Sequence, residues 1–333
     1  PHRLAIPGID REDAQFHAVF ADHAVRHGDQ AVDRQRGAEG VDALGLADVA
    51  RTVDIRDVPG CLAVAREFQV DGVVSIVAER AVESVAALAE LLGLPGISRE
   101  AALAATDKYI MRQRFAAAGL PGPAFRQART LEEAREAARE LGYPLVIKPV
   151  DNAGSRGVRR IEEAASLPEA FALAMSQSLK QRVILEGFME GVEATVESLT
   201  FQGRTQVLAM SDKVRIPFPA CVSICLNYPP YFPPAVQEDI ARLVTRAIEA
   251  LGITQGSTHA EVMVGAQGIT LVEVAARGGG FRIFDEIIPL VSGVNAVRET
   301  VRMAMGETPD LRPKVHRAAI LRFFTPERFG RLV

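Results

Sequence analysis

Cysteine is sparse in this 333-residue chain: Cys61, Cys221 and Cys225 are an odd set of three, and a Cys-x3-Cys pair without a second pair is weak support for zinc or a disulfide framework. The thiols therefore read as structural. No apolar run approaches the roughly 20 residues that cross a bilayer, and the N-terminus lacks the basic flank and continuous apolar core of a signal peptide. A cytoplasmic protein without a membrane partner is expected. Lysine and arginine are scattered through a chain of net charge −4, which leaves no basic footprint for nucleic acid. The G-x-G-x-x-G fingerprint is also missing, since only Gly8 follows the first apolar run, Leu4-Ala5-Ile6, so a nicotinamide cofactor is not supported. What remains is ordinary for a soluble globular chain, 48% hydrophobic and 24% charged, and it favours small-molecule chemistry on two or three domains.

Residues 1 to 97 alternate short apolar runs, including Val73-Val74-Ser75-Ile76-Val77, with a helical pattern of Val82, Val85, Ala86, Ala89 and Leu92 that stops at Gly93. Such alternation predicts a parallel sheet with flanking helices. Leu94-Pro95-Gly96-Ile97 punctuates the chain, and Ser98 can cap the next helix. Thr106-Asp107-Lys108 opens a helix to Gly119 with Asp107 as its cap. Lys108 then sits in the first turn, the unfavoured end of the dipole for a cation, and is either solvated or matched to an anion. Thr130-Leu131-Glu132-Glu133 and Ser166-Leu167-Pro168-Glu169 are two capping boxes, the first opening a helix that closes at Gly142.

Between those boxes, Tyr143-Pro144-Leu145-Val146-Ile147-Lys148-Pro149-Val150 reads as a buried strand that delivers one lysine to its end. The loop Asp151-Asn152-Ala153-Gly154-Ser155-Arg156-Gly157-Val158 comes next, where Gly154 and Gly157 can adopt positive φ and aim backbone N–H groups at one anion. It is either a solvated turn or a phosphate loop. Because the lysine precedes the glycines, it is not a Walker A motif.

Val183-Ile184-Leu185-Glu186 is a further strand, leading to Gly187-Phe188-Met189-Glu190-Gly191 and then to Val192 to Leu199, where alternation puts Glu193, Thr195 and Glu197 on one face. A turn at Gln202-Gly203 returns a strand through to Lys213. Residues 217 to 234 carry six prolines and read as a long ordered loop or lid. An amphipathic helix from Ala235 to Leu251 leads to a hairpin, Thr258 to Val264 and Ile269 to Arg277, whose strands carry Glu261 and Glu273 among core residues. A carboxylate there is costly unless paired or bound to metal, so two of them before Arg277-Gly278-Gly279-Gly280 suggest a hard-cation site beside a phosphate. His259 is either an acid or base of that site or a hydrogen-bonded structural histidine.

Lys108, Lys148 with its glycine loop, the Glu186 to Glu193 segment and the Glu261/Glu273/Arg277 hairpin occur in an order that resembles the ATP-grasp superfamily, over roughly residues 98 to 306. The resemblance implies α/β and α+β architecture: a Rossmann-like pre-ATP-grasp domain (1–97), a small lobe with the glycine loop (98–182), a large lobe with the metal site (183–310) and the start of a C-terminal β segment (311–333) that continues further in many relatives, so that the segment is either trimmed here or the sequence is a fragment. It implies that Lys108 and Lys148 hold ATP phosphates under the loop from Asn152 to Val158, which carries Gly154, Ser155 and Gly157. Glu186, Gly187, Phe188 and Met189 would lie along the adenine, with Phe188 near its ring, and Glu193 would take the ribose hydroxyls. Glu261 and Glu273 would bind Mg2+, with Mn2+ as a substitute.

Two departures bear on function. Ala275 stands where the family commonly has an asparagine metal ligand, and Gly279-Gly280-Phe281-Arg282 replaces the Gln-Val-Glu-His of biotin-dependent carboxylases. The implied activity is an ATP-dependent carboxylate-amine ligase working on a small carboxylate, such as an amino acid, through an acyl-phosphate. A bicarbonate-using carboxylase or carbamoyl-phosphate-type subunit ranks second, and a nucleotide-binding module without turnover third. Arg277 and Arg282 are the expected catalytic cations, with Arg282, Lys213 or Arg215 gripping a substrate carboxylate. A homodimer is expected by analogy only.

Overall fold

The computed structural model describes residue 51 and residues 53–216 and 223–323. Two antiparallel sheets organise them. The smaller has the order β1-β4-β2-β3, with β1 at Phe125–Ala128, β2 at Leu145–Pro149, β3 at Arg159–Ile161 and β4 at Val183–Gly187. The larger has the order β10-β7-β6-β5-β8-β9, with β5 at Val192–Phe201, β6 at Arg204–Arg215, β7 at Ser223–Tyr228, β8 at Gly256–Gly265, β9 at Gly268–Ala275 and β10 at Ala319–Arg322.

Local chemistry accounts for the helix ends. The Asp107 carboxylate accepts from the backbone N–H groups of Tyr109 (3.1 Å) and Ile110 (3.3 Å) and opens the helix Lys108–Ala117. Thr130 Oγ1 accepts from Glu133 N at 3.2 Å to open Leu131–Leu141, and Ser98 Oγ accepts from Ala101 N at 3.1 Å to open Arg99–Thr106. Each such cap contributes about 1 kcal/mol. The helix Leu167–Ser176 forms as well, but its Ser166 makes no side-chain cap bond; a 3-10 turn at Ala164–Ser166 leads straight into it and puts the cap residue in a helical conformation.

Each sheet is covered by helices that present small or aliphatic residues. Ala134, Ala137, Ala138, Ala170 and Ala174 let the helices Leu131–Leu141 and Leu167–Ser176 approach Leu145, Ile147, Ile161 and Leu185 of the small sheet. Ile240, Val244, Ala247 and Ile248 of the helix Pro234–Ala250 pack on Ala194, Val196, Ala260, Val262, Leu271 and Val274, with Met111 and Phe115 completing that core. Burying each large aliphatic side chain is worth about 1.5–3 kcal/mol.

Several expectations need correction. Among the described residues, 73–77 form no strand; Val74 and Val77 remain 42% and 46% exposed, and the segment meets the large lobe through a bond from Gly278 N to Ile76 O at 2.8 Å. The proline-rich stretch is not one long loop, since β7 inside it pairs with β6 and β10. Leu4-Ala5-Ile6, Gly8 and Cys221 lie outside the described residues. Among the described residues no helix is long and apolar enough to cross a membrane.

Candidate active site

A cavity of about 830 Å3 lies between the two sheets, within the size range of small-molecule sites. Its walls bring together Lys108, Lys148, Asn152, Gly154, Ser155, Glu186, Gly187, Phe188, Met189, Glu193, Glu261, Glu273 and Arg277. Two expected residues are placed elsewhere. Gly157 is buried within the loop, at φ 76°, where a Cβ would meet Pro149 Cγ at 2.9 Å, so it permits the loop's path rather than facing the cavity. Arg282 projects outward at 67% side-chain exposure, paired with Asp285 (2.8 Å) and Glu286 (2.5 Å) of its own turn.

The loop 152–158 is built from left-handed residues, Gly154 at φ 69° and Ser155 at 57° as well as Gly157. Its base is tied down: Asn152 Nδ2 donates to Gln177 O (3.1 Å), while Asp151 accepts from Ser178 Oγ and Lys180 N, both at 2.7 Å. Beside it, the Arg160 guanidinium stacks 4.0 Å over the Phe188 ring.

Below the loop, strand β2 carries Lys148 next to its end, with Nζ 2.6 Å from Glu186 Oε2. Arg112 holds the other oxygen of Glu186 at 2.6 Å and donates to Leu271 O and Val272 O of β9, each at 2.8 Å. One guanidinium thus joins the helix Lys108–Ala117, the small sheet and the large sheet. Burial alone would raise the Glu186 carboxyl, but Arg112 and then Lys148 override it and bring it down to about 2.

The hairpin of β8 and β9 sets Glu261 directly opposite Glu273. Burial opposes ionisation of both, yet Lys213 and then His259 hold Glu261 well below its ordinary value, and Lys108 lowers Glu273 from 2.7 Å away. Lys213 spans Glu261 and Glu193, 2.5 Å from each, and Arg215 pairs with Glu193 as well. Arg277 is anchored by Glu79 at 2.7 Å. His259 joins its Nδ1 to the fully buried Glu197, which also accepts from Gly279 N at 3.0 Å. Burial would lower His259, but Glu197 outweighs it and raises it to about 9. Ala275 sits opposite His259, which is itself opposite Glu197, so the polar groups at this level of the sheet come from β5 and β8 rather than β9.

Two facing carboxylates fit a divalent cation that takes its other ligands from phosphate oxygens and water, the habit of magnesium. They do not make an all-protein cage, and among the described residues no cluster of three or more His, Cys, Asp or Glu could hold a metal alone.

Sequence reasoning misses Arg112, Glu79 and Arg160, and it places Glu197 on a strand face without assigning it to the site. The partners of Arg112 lie 74 to 160 residues away, so no local spacing marks it. Glu197 has one local signal, its place on the same strand face as Glu193.

The family model for an ATP-grasp domain matches residues 141–285. An uncharacterised protein of Sinorhizobium fredii is 29% identical over 271 residues, 80% of this chain and 55% of that protein. A D-alanine-D-alanine ligase of Pseudomonas putida is 28% identical over 276 residues, 78% of this chain and 85% of the ligase. The crystal structure of an L-amino acid ligase from Bacillus licheniformis matches with a TM-score of 0.71 at 27% identity, covering 80% of this chain and 67% of that one. Three of the curated relatives are spanned for only 55%, 38% and 47% of their length.

Proposed function

Because residues 141–285 match the model of an ATP-grasp domain, we propose that the chain is an ATP-grasp enzyme, an ADP-forming ligase that joins a small carboxylic acid, an amino acid in the first instance, to an amine. The observation that carries this reading is the pair Glu261 and Glu273, face to face and ringed by Lys108, Lys213 and Arg277 in one cavity under a glycine loop. The ligase names of the Pseudomonas and Bacillus relatives support it.

In the proposed reaction an oxygen of the substrate carboxylate attacks the γ-phosphorus of ATP, the bond to the β–γ bridging oxygen breaks, and ADP leaves with its electron pair. The amine nitrogen then attacks the acyl carbon, the bond to phosphate breaks, inorganic phosphate leaves, and the nitrogen gives up a proton. The first step brings two anions together and needs fixed positive charge. Lys108, Lys148 and Arg277 supply it on rigid elements, a helix start, a strand end and a loop anchored by Glu79. Magnesium held by Glu261 and Glu273 would add Lewis-acid charge at the β- and γ-phosphates. The backbone of Gly187 to Met189 would line the adenine, Glu193 the ribose, and the loop through Asn152, Gly154 and Ser155 would keep water from the acyl-phosphate.

The test is ADP release from Mg-ATP with single amino acids, dipeptides, other small acids and bicarbonate, each with and without an added amine. Turnover that needs an organic acid and is abolished by Glu273→Gln supports the ligase. Turnover with bicarbonate alone, or none in any mixture that still binds ATP, refutes it.

A further inference from the structure

The cavity changes character away from the charged groups. On β2 its lining passes from Lys148 to Val146, and on β8 from Glu261 to Met263, so on each sheet charge gives way to apolar surface within about 7 Å. Val158, Phe188 and Val272 line the same cavity. Apolar walls contributed by two facing sheets suit a flat aromatic group.

Arg160 borders this end. It stands on β3, the edge strand of the small sheet, directly opposite Val146, which is in turn opposite Glu186. Its guanidinium lies 4.0 Å over the Phe188 ring, and both residues line the cavity. Its hydrogen bonding is incomplete. Glu162, 62% exposed, lies 2.7 Å from Nε and accepts from Nη2 at 3.4 Å, yet the buried Nε makes no hydrogen bond among the described residues. A buried N–H without an acceptor is costly, and in a cavity wall it marks a place where a ligand supplies one.

We propose that Arg160 is a nucleobase-binding residue: its guanidinium, stacked on Phe188, forms the edge of a slot for the purine and offers N–H donors to the ring nitrogens. The proposal rests on the nucleotide placement in the ligase reading above, and it adds a side chain that reads the base rather than the phosphates. Arginine suits the task because its plane stacks and all its polar groups are donors, whereas a lysine would supply a point charge. Since β3 begins directly after the loop 152–158, a base held by Arg160 also holds the strand into which the loop runs.

The test is titration calorimetry on the full chain with Mg2+ present, using ADP and inorganic tripolyphosphate, which carries the charge without the base. Arg160→Ala should weaken ADP about 10-fold, the effect of losing a stacking partner, and leave tripolyphosphate within a factor of about two. In steady state KM for ATP should rise with kcat retained, the sign of binding lost equally from ground and transition states. Arg160→Gln keeps a flat side chain with N–H donors and should recover part of the ADP affinity, whereas Arg160→Lys keeps only the charge and should not, so the comparison stands even if the alanine variant folds poorly. Equal weakening of both probes, full rescue by Arg160→Lys, or no change with either probe overturns the role of Arg160. Those outcomes leave the ligase reading standing, because no acid or amine enters the binding assay. A parent protein that binds neither probe overturns both.

Discussion

Replacing Arg112 by methionine should uncouple the two lobes and destabilise the protein at neutral pH. The guanidinium is 3% exposed, neutralises a carboxylate that is 2% exposed, and satisfies two carbonyls of β9. Removing one member of a buried pair costs about 3–5 kcal/mol, because the remaining charge is left without its partner. The pH dependence gives an independent figure. Glu186 falls from the ordinary 4.5 to about 2, a shift worth roughly 3 kcal/mol at 1.36 kcal/mol per unit. Its folded value is depressed, so this stability is present above pH 4.5 and is lost as the pH falls from there towards 2. In Arg112→Met, Lys148 alone of the two cations remains on Glu186, so its folded value is less depressed, and the loss that sets in below pH 4.5 should be smaller and end at higher pH than in the parent protein. Urea unfolding followed by circular dichroism at pH 7, 5 and 4 measures both effects, and Arg112→Met/Glu186→Gln should recover much of the loss by removing the orphaned charge. A change under about 1 kcal/mol at pH 7, or an acid limb that coincides with that of the parent protein, would refute the reasoning.

Glu261→Gln and Glu273→Gln should each reduce ADP release by about 100-fold or more while nucleotide binding persists; calorimetric titration of Mg2+ with ATP present checks that the metal rather than the fold is lost. Asp107→Ala removes a helix cap together with the partner of Arg182 and Lys180, and should cost about 3 kcal/mol, read as a lower melting temperature; a shift within error would refute the buried role. Gly157→Val forces a β-branched residue to positive φ against Pro149, and should raise KM for ATP several-fold with a smaller effect on kcat, measured by steady-state kinetics.

Features encoded by near neighbours are the legible ones. Asp107 and Thr130 cap within three residues, and the Glu261/Glu273 hairpin announces itself by alternation around a glycine turn. The strand β7 is hidden because prolines crowd both its flanks, and β1 because its central residues, Arg126 and Gln127, are exposed and polar. The apolar run 73–77 differs in the opposite sense: hydrophobicity permits a strand, but a ladder needs a partner with free N–H and C=O groups, and among the described residues none pairs with it. Within the site, residue types in order suffice to nominate both lysines and both glutamates. Pairings such as Arg277 with Glu79, 198 residues apart, are set by the tertiary fold alone. Arg282 shows the limit of motif reasoning, since it neighbours the glycine run but turns to solvent, its charge satisfied by Asp285 and Glu286.

The lysines resting on the hairpin carboxylates make ligand binding a transaction between two partners. Lys108 is held by Glu273, so on the proposed reading a phosphate that claims its ammonium group would leave a buried carboxylate uncompensated beside Glu261, an arrangement that is costly until another cation arrives. A divalent ion on the two glutamates would in turn displace Lys108 and free it for phosphate. On the proposed reading, nucleotide and metal therefore bind with positive cooperativity, each raising the affinity of the other by the same factor. That coupling would make the protein a poor receptor for either ligand by itself and a good one for the pair.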